Sequence, residues 1–181
     1  VQEGKVTEVE ITGHPGAYVA GQGFDPAGKP LANASVAMVY LDVSRVLFSA
    51  DGRAEPILTD VDGRFSIEHV AAGRIGFIAA TDGLAPSEIV DLTVVDDGRY
   101  DDLRFTLGDG TAIAGIVVDD QEKPVPGALV EIRPFEQPRD PDVLKLVLRV
   151  RNVVAETDAA GRFVARGIDA PRVFLQASKA G

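Results

Sequence analysis

Ala114-Gly115-Ile116-Val117-Val118-Asp119-Asp120-Gln121-Glu122-Lys123-Pro124-Val125-Pro126-Gly127-Ala128-Leu129-Val130 rewrites an earlier stretch, Ala20-Gly21-Gln22-Gly23-Phe24-Asp25-Pro26-Ala27-Gly28-Lys29-Pro30-Leu31-Ala32-Asn33-Ala34-Ser35-Val36. Seven of the 17 aligned positions are identical at an offset of 94 residues, which ordinary composition would not produce. Further on, Thr59-Asp60-Val61-Asp62-Gly63-Arg64-Phe65 matches Thr157-Asp158-Ala159-Ala160-Gly161-Arg162-Phe163 at an offset of 98, so the second copy holds four extra residues between the blocks. The new register persists: Ala72, Arg74, Ala79 and Gly83 meet Ala170, Arg172, Ala177 and Gly181. A period this long is wrong for a solenoid coil and about right for a sandwich domain.

The two copies end differently. The first continues through Glu88-Ile89-Val90-Asp91-Leu92-Thr93-Val94-Val95 and Asp102-Leu103-Arg104-Phe105-Thr106-Leu107, both strand-like, while the second stops at Gly181 without counterparts. Residues 1–11 match the tail of the first copy at the offset of 94, pairing Gly4 with Gly98, Val9 with Leu103 and Ile11 with Phe105. The expected organisation is therefore a window on a longer array. Residues 1–13 are the last strand of a preceding repeat, 14–108 a first sandwich, and 109–181 a second one, incomplete at its C-terminus, with short linkers at 13–16 and 108–111. Residues 1–11 are expected to be an edge strand that completes a neighbouring chain's truncated copy or hangs loosely. An opening Val1 in place of an initiator Met fits a processed or excised chain, and no signal peptide is visible.

Strand signals dominate. Leu103, Phe105 and Leu107 alternate with Arg104 and Thr106, and Phe77-Ile78-Ala79-Ala80 and Val173-Phe174-Leu175 are short apolar runs bounded by turn formers. Eleven prolines and 19 glycines punctuate such runs at sandwich-like spacing. Asp60-Val61-Asp62-Gly63 and Asp158-Ala159-Ala160-Gly161 suit hairpin turns, Asp bonding through its side chain and Gly supplying positive φ. In the variable segment of the second copy, Leu144, Leu146, Leu148 and Val150 alternate as a strand would, yet Asp140-Pro141 would also start a helix. A strand is the preferred reading over 140–151, with the helix left open.

Hydrophobic residues at 45% and charged residues at 25% describe a globular chain rather than a disordered one. A net charge of −10 without a basic run repels phosphate backbones and anionic lipid heads, so nucleic acid is not an expected partner. No apolar stretch reaches the roughly 18 residues of a membrane span, so no direct membrane insertion is expected. With no cysteine there is no disulfide framework and no thiolate metal site.

The ordered pattern Gly-x-Val-x-Asp-x-x-x-x-Pro-x-x-Gly-Ala-x-Val, a variable stretch and Thr-Asp-x-x-Gly-x-Phe resembles the carboxypeptidase regulatory-like domains. The second copy carries it in Gly115, Val117, Asp119, Pro124, Gly127, Ala128, Val130, Thr157, Asp158, Gly161 and Phe163. The first carries Gly21, Asp25, Pro30, Ala34, Val36, Thr59, Asp60, Gly63 and Phe65, with Asn33 where the pattern prefers Gly and Gly23 in place of Val. The resemblance implies an all-β chain of tandem seven-stranded antiparallel prealbumin-like (Ig-like) β-sandwiches. It also implies non-catalytic spacers, adhesive stalks or accessory modules in bacterial extracellular, cell-surface or periplasmic proteins. Partners would be other protein domains of the same or a neighbouring chain.

No catalytic, cofactor or metal residue is assigned. His14 and His69 are far apart in sequence, neither has a counterpart in the other copy, and no Gly-x-Ser-x-Gly elbow presents a nucleophile. Asp60-Val61-Asp62-Gly63 opens like a calcium loop, but Ala71 stands where the closing Glu belongs and Ala160 replaces Asp62 in the second copy, so a turn is preferred. Asp96-Asp97-Gly98 and Asp101-Asp102 form an acidic cluster, read as solvated. Glycan binding is the main alternative function, with Tyr18, Tyr40, Phe48, Tyr100 and Phe135 as candidate platforms, although there is no Trp and strand packing accounts for most of these rings. A further alternative is an accessory domain of a peptidase or other hydrolase. Protein contacts are expected through the variable segments 42–57 and 136–155, tested by Ala substitutions at Phe48 and Leu146.

Overall fold

The computed structural model describes Glu10 and residues 13–41, 57–136 and 151–179, and every element within them is a strand. Among the described residues the first repeat has seven strands: β1 (Ala17–Phe24), β2 (Ser35–Tyr40), β3 (Ile57–Leu58), β4 (Arg64–Val70), β5 (Gly73–Ala80), β6 (Val90–Val94) and β7 (Arg99–Thr106). They form a sandwich of two sheets, ordered β3-β2-β5-β6 and β4-β1-β7. The second repeat holds β8 (Thr111–Ile116), β9 (Leu129–Pro134), β10 (Val153–Glu156), β11 (Arg162–Ile168) and β12 (Val173–Ser178), in sheets β10-β9-β12 and β11-β8. Among the described residues, no ladder joins a strand of one repeat to a strand of the other. The chain is an all-β protein of tandem sandwiches.

The duplication extends to individual residue pairs. Gly21 faces Phe65 across β1 and β4, and Gly115 faces Phe163 across β8 and β11. Val36 is flanked by Ile57 and Ala79, and Val130 by Ala155 and Ala177. A slip of one residue would turn every side chain to the opposite face, so matching registers mean matching cores. The first core is built around Val19, Val36, Phe65, Ile75, Phe77 and Phe105, and the second around Val130, Ile132, Phe163, Ala165 and Ile168.

Buried threonines lock this frame in both repeats. The Thr59 hydroxyl donates to the Leu31 carbonyl at 2.6 Å and accepts from Ala34 N–H at 2.9 Å; Thr157 repeats this with Val125 at 2.7 Å and Ala128 at 2.8 Å. Asn33 and Gly127, at aligned positions, share the left-handed conformation with φ of 58° and 66°, which Asn tolerates better than most residues with a side chain.

Two expectations need correction. The Asp60–Gly63 turn forms, with Asp60 N–H donating to the Arg64 carbonyl at 2.8 Å and Gly63 at a φ of 73°. Yet it is not the tip of a hairpin, because β3 and β4 leave it for different sheets. It is a corner, and the Asp158–Gly161 turn makes the same crossing between β10 and β11. The sandwich is also not wholly antiparallel, since β7 runs parallel to β1 along Tyr18–Phe24. The expected strand at 1–11 apart from Glu10, the strand or helix over 140–151 apart from Arg151, and most of both variable segments, with Phe48 and Leu146, lie outside the described residues.

The linkers are bonded into the fold. Gly108 and Ala85 exchange two backbone hydrogen bonds of 2.8 and 3.1 Å, and the Gly16 carbonyl accepts from Asp97 N–H at 3.2 Å.

Candidate interaction surface

The repeats differ most in what covers them. In the first, β7 lies along one edge of β1 and β6 along the outer edge of β5. Among the described residues of the second repeat, β8 pairs only with β11 and β12 only with β9. Leu175 is 50% exposed where its counterpart Phe77 is fully buried, and Ile116, Val164 and Phe174 are exposed as well.

At Gly21, a Cβ would lie 2.1 Å from the Leu103 carbonyl oxygen, because β7 passes directly against the glycine. At Gly115, a Cβ would instead lie 2.7 Å from the Phe163 ring. Phe65, the counterpart of Phe163, packs on Phe105 of β7 with ring centroids 5.6 Å apart. Among the described residues, the second core thus holds no counterpart of the Leu103 and Phe105 layer.

Beside the β12 edge, Phe135 and Phe174 stack with centroids 4.7 Å apart, and the Arg172 guanidinium sits 4.6 Å from the Phe135 centroid while pairing with Glu136 at 2.9 Å. In the first repeat, Leu41 and Gly76 take the places of Phe135 and Phe174, so the aromatic pair is no repeated feature of the fold. Phe174 was not foreseen as a platform, since its run reads as a core strand.

The remaining candidates are dispersed. His14 lies 3.3 Å from Asp96 on the surface, and His69 Nδ1–H donates to the Pro15 carbonyl at 3.1 Å, so each histidine has its own partner. Asp60 Oδ1 accepts from Asp62 and Arg64 N–H at 2.9 and 2.8 Å, and Asp158 does the same for Ala160 and Arg162, which is turn chemistry. Asp101 pairs with Arg99 at 2.7 Å. Among the described residues no group of three or more His, Asp or Glu side chains is placed to hold a metal. Tyr18 lies under Arg99, 4.4 Å from its centroid, and the Tyr100 hydroxyl donates to Thr93 and accepts from Val95 N–H, each at 3.1 Å. Tyr40 is half-buried against the first core. A shallow groove of about 800 Å³ over the β4-β1-β7 sheet has its Phe24 covered by Arg104, 3.5 Å from the ring centroid.

No protein-family model matches the sequence, and no curated protein matches it either. Among solved structures, a streptococcal ancillary pilin superposes with a TM-score of 0.43 at 17% identity, over 91% of this chain and 54% of that one. The shaft pilin SpaA of Lactobacillus rhamnosus GG gives 0.34 at 13% identity, over 91% and 87%. The pilus backbone RrgB of Streptococcus pneumoniae gives 0.32 at 11%, over 92% and 54%. This chain spans about half the length of the first of these. Scores this low assign the chain no role. No helix among the described residues is long and apolar enough to cross a membrane.

Proposed function

We propose that the chain is a non-catalytic structural unit, two carboxypeptidase regulatory-like domains in series at 14–108 and 109–181, serving as a spacer or adhesive stalk. Its setting would be a larger bacterial extracellular, cell-surface or periplasmic protein. The observation that carries this reading is the junction. The Ala85–Gly108 bridge holds the chain just before β8, and the backbone of Gly167 in the second repeat abuts that of Leu84 in the first. A connection this short and this bonded favours a fixed angle between neighbours over free hinging. The ordered motif residues support the family reading, because both copies place them at the same ladder and turn positions.

Small-angle scattering tests the idea. A stiff, elongated particle of constant shape from low to high salt is expected; a profile requiring two freely hinged bodies would sink it. Protein partners would engage the variable segments, so Phe48→Ala with Leu146→Ala should release any captured protein. The glycan reading is weaker. Phe135, the most exposed of the candidate rings among the described residues, is already engaged by Phe174 and Arg172. Titration with insoluble polysaccharide separates the two, since a spacer binds none.

A further inference from the structure

A row of polar side chains crosses the outer face of the β4-β1-β7 sheet. Gln22 pairs with Arg64 of β4 on one side and with Arg104 of β7 on the other. Phe65, Leu103 and Phe105 belong to the core, so alternation turns Arg64, Gln22 and Arg104 outward, and both arginines are exposed. Across two strand spacings their Cα atoms stand about 10 Å apart. The Arg104 guanidinium sits 3.5 Å from the Phe24 ring centroid, a stack that holds it while leaving N–H groups free to donate. Gln22 Nε2–H donates to the Asp62 carbonyl at 2.6 Å, which fixes the amide between the two cations. One row along, Ala20 pairs with Ser66, and the irregularity in the β1-β7 ladder places Asp101 and Asp102 beside it. Asp101 is taken by Arg99, but among the described residues no ion pair involves Arg64, Arg104 or Asp102.

The module does not require this row. Ile116, Val118 and Val164 stand in the second repeat where the first has Gln22, Phe24 and Ser66. Two cations without acidic partners beside a carboxylate without a basic one complement a ligand that carries both charges. Asp102 and Arg104 lie two residues apart on one strand, about 7 Å. Side chains i and i+2 of an extended peptide have the same spacing, so an acidic and a basic residue separated by one other fit the groove together. A sugar finds no bare ring here, since Arg104 covers Phe24 and Arg99 covers Tyr18. A polyanion meets Asp60, Asp101 and Asp102 in the same groove, on a chain of net charge −10.

We infer that the outer face of the β4-β1-β7 sheet binds an extended protein segment bearing a carboxylate and a cationic side chain two residues apart. Arg104 receives the carboxylate, Arg64 adds positive field from across Gln22, and Asp102 receives the cation. Ala20, small and central, leaves room for the segment between them. The site uses none of residues 42–57 or 136–155 and is independent of the stiffness of the array.

Nuclear magnetic resonance of the 181-residue chain, titrated at low salt with the capped peptide Thr-Glu-Thr-Lys-Thr, tests this. Saturable shifts at Arg104 Nε–H, the Gln22 amide and Ala20 N–H are expected, and binding should weaken as salt rises. Replacing the peptide's Glu by Gln, or moving its Lys by one position so that the charges leave opposite sides, alters nothing in the protein. Each change should weaken binding about fivefold or more. Arg104→Gln should do the same while melting with the parent, since the side chain is exposed. An absence of shifts at these groups, equal binding of the Glu and Gln peptides, or undiminished binding to an Arg64→Gln, Arg104→Gln double variant would each overturn the inference. Tighter binding of polygalacturonate than of the peptide would overturn it too, by giving the groove to an acidic sugar.

Discussion

Gly167 and Leu84 meet backbone to backbone across the two repeats: a Cβ on Gly167 would lie 2.4 Å from the Leu84 carbonyl oxygen and 2.6 Å from its carbon. With φ at 72°, the position also resists any side chain. Gly167→Ala should therefore cost about 1–3 kcal/mol at the junction and loosen it while leaving both cores intact. The sequence has no cysteine, so Val61→Cys and Asp120→Cys give one dye on each repeat without side reactions. Energy transfer between them should broaden in the alanine variant and stay narrow in the parent. An unchanged distribution would remove the junction from the argument for stiffness.

The paired threonines give a second test. Thr59→Val and Thr157→Val preserve shape but strand a buried N–H and a carbonyl in each repeat. Each should lower stability by about 1–3 kcal/mol in chemical denaturation. The double variant should show the sum, because the sites belong to separate cores and share no partner. A strongly non-additive result would mean that the repeats fold as one unit.

The turn at Gly63 combines two constraints. Its φ is 73°, and a Cβ would fall 2.6 Å from the Gly23 carbonyl oxygen, on backbone that the corner between sheets holds in place. Gly63→Ala should destabilise the first repeat by about 2 kcal/mol or more in thermal melts, and Gly161→Ala should do the same to the second. Calcium should leave both melting points unchanged, because Asp60 and Asp158 spend a carboxylate oxygen on backbone N–H groups of the turn. A calcium-dependent rise would restore the metal reading of Asp60-Val61-Asp62-Gly63.

Much of this frame was legible beforehand. Alternating apolar residues mark faces, and the offsets of 94 and 98 align every pair named in the two ladders. Partner and direction were not legible. Leu103, Phe105 and Leu107 alternate identically whether β7 runs parallel or antiparallel, and only long-range placement beside β1 settles it. The Asp60–Gly63 turn read as a hairpin because local chemistry fixes the bend, not the sheets its flanking strands join. Phe174 was missed for a related reason: Val173-Phe174-Leu175 carries the composition of a core strand, and whether it is covered depends on strands remote in sequence.

That dependence supplies the last prediction. Phe77 and Leu175 occupy the same ladder position in β5 and β12, yet the first is fully buried and the second half-exposed. Phe77→Ala removes a packed ring from the first core and should cost about 3–5 kcal/mol. Leu175→Ala loses little burial and leaves no enclosed cavity, so its cost should stay below about 1 kcal/mol. Leu175→Gln should cost no more, and should reduce binding of a hydrophobic dye to the 181-residue chain, since the β12 surface adds to its exposed apolar area. If Leu175→Ala proved as damaging as Phe77→Ala, the second core would have to be closed over by chain that packs on β12, and the open surface described for this repeat would not exist in solution.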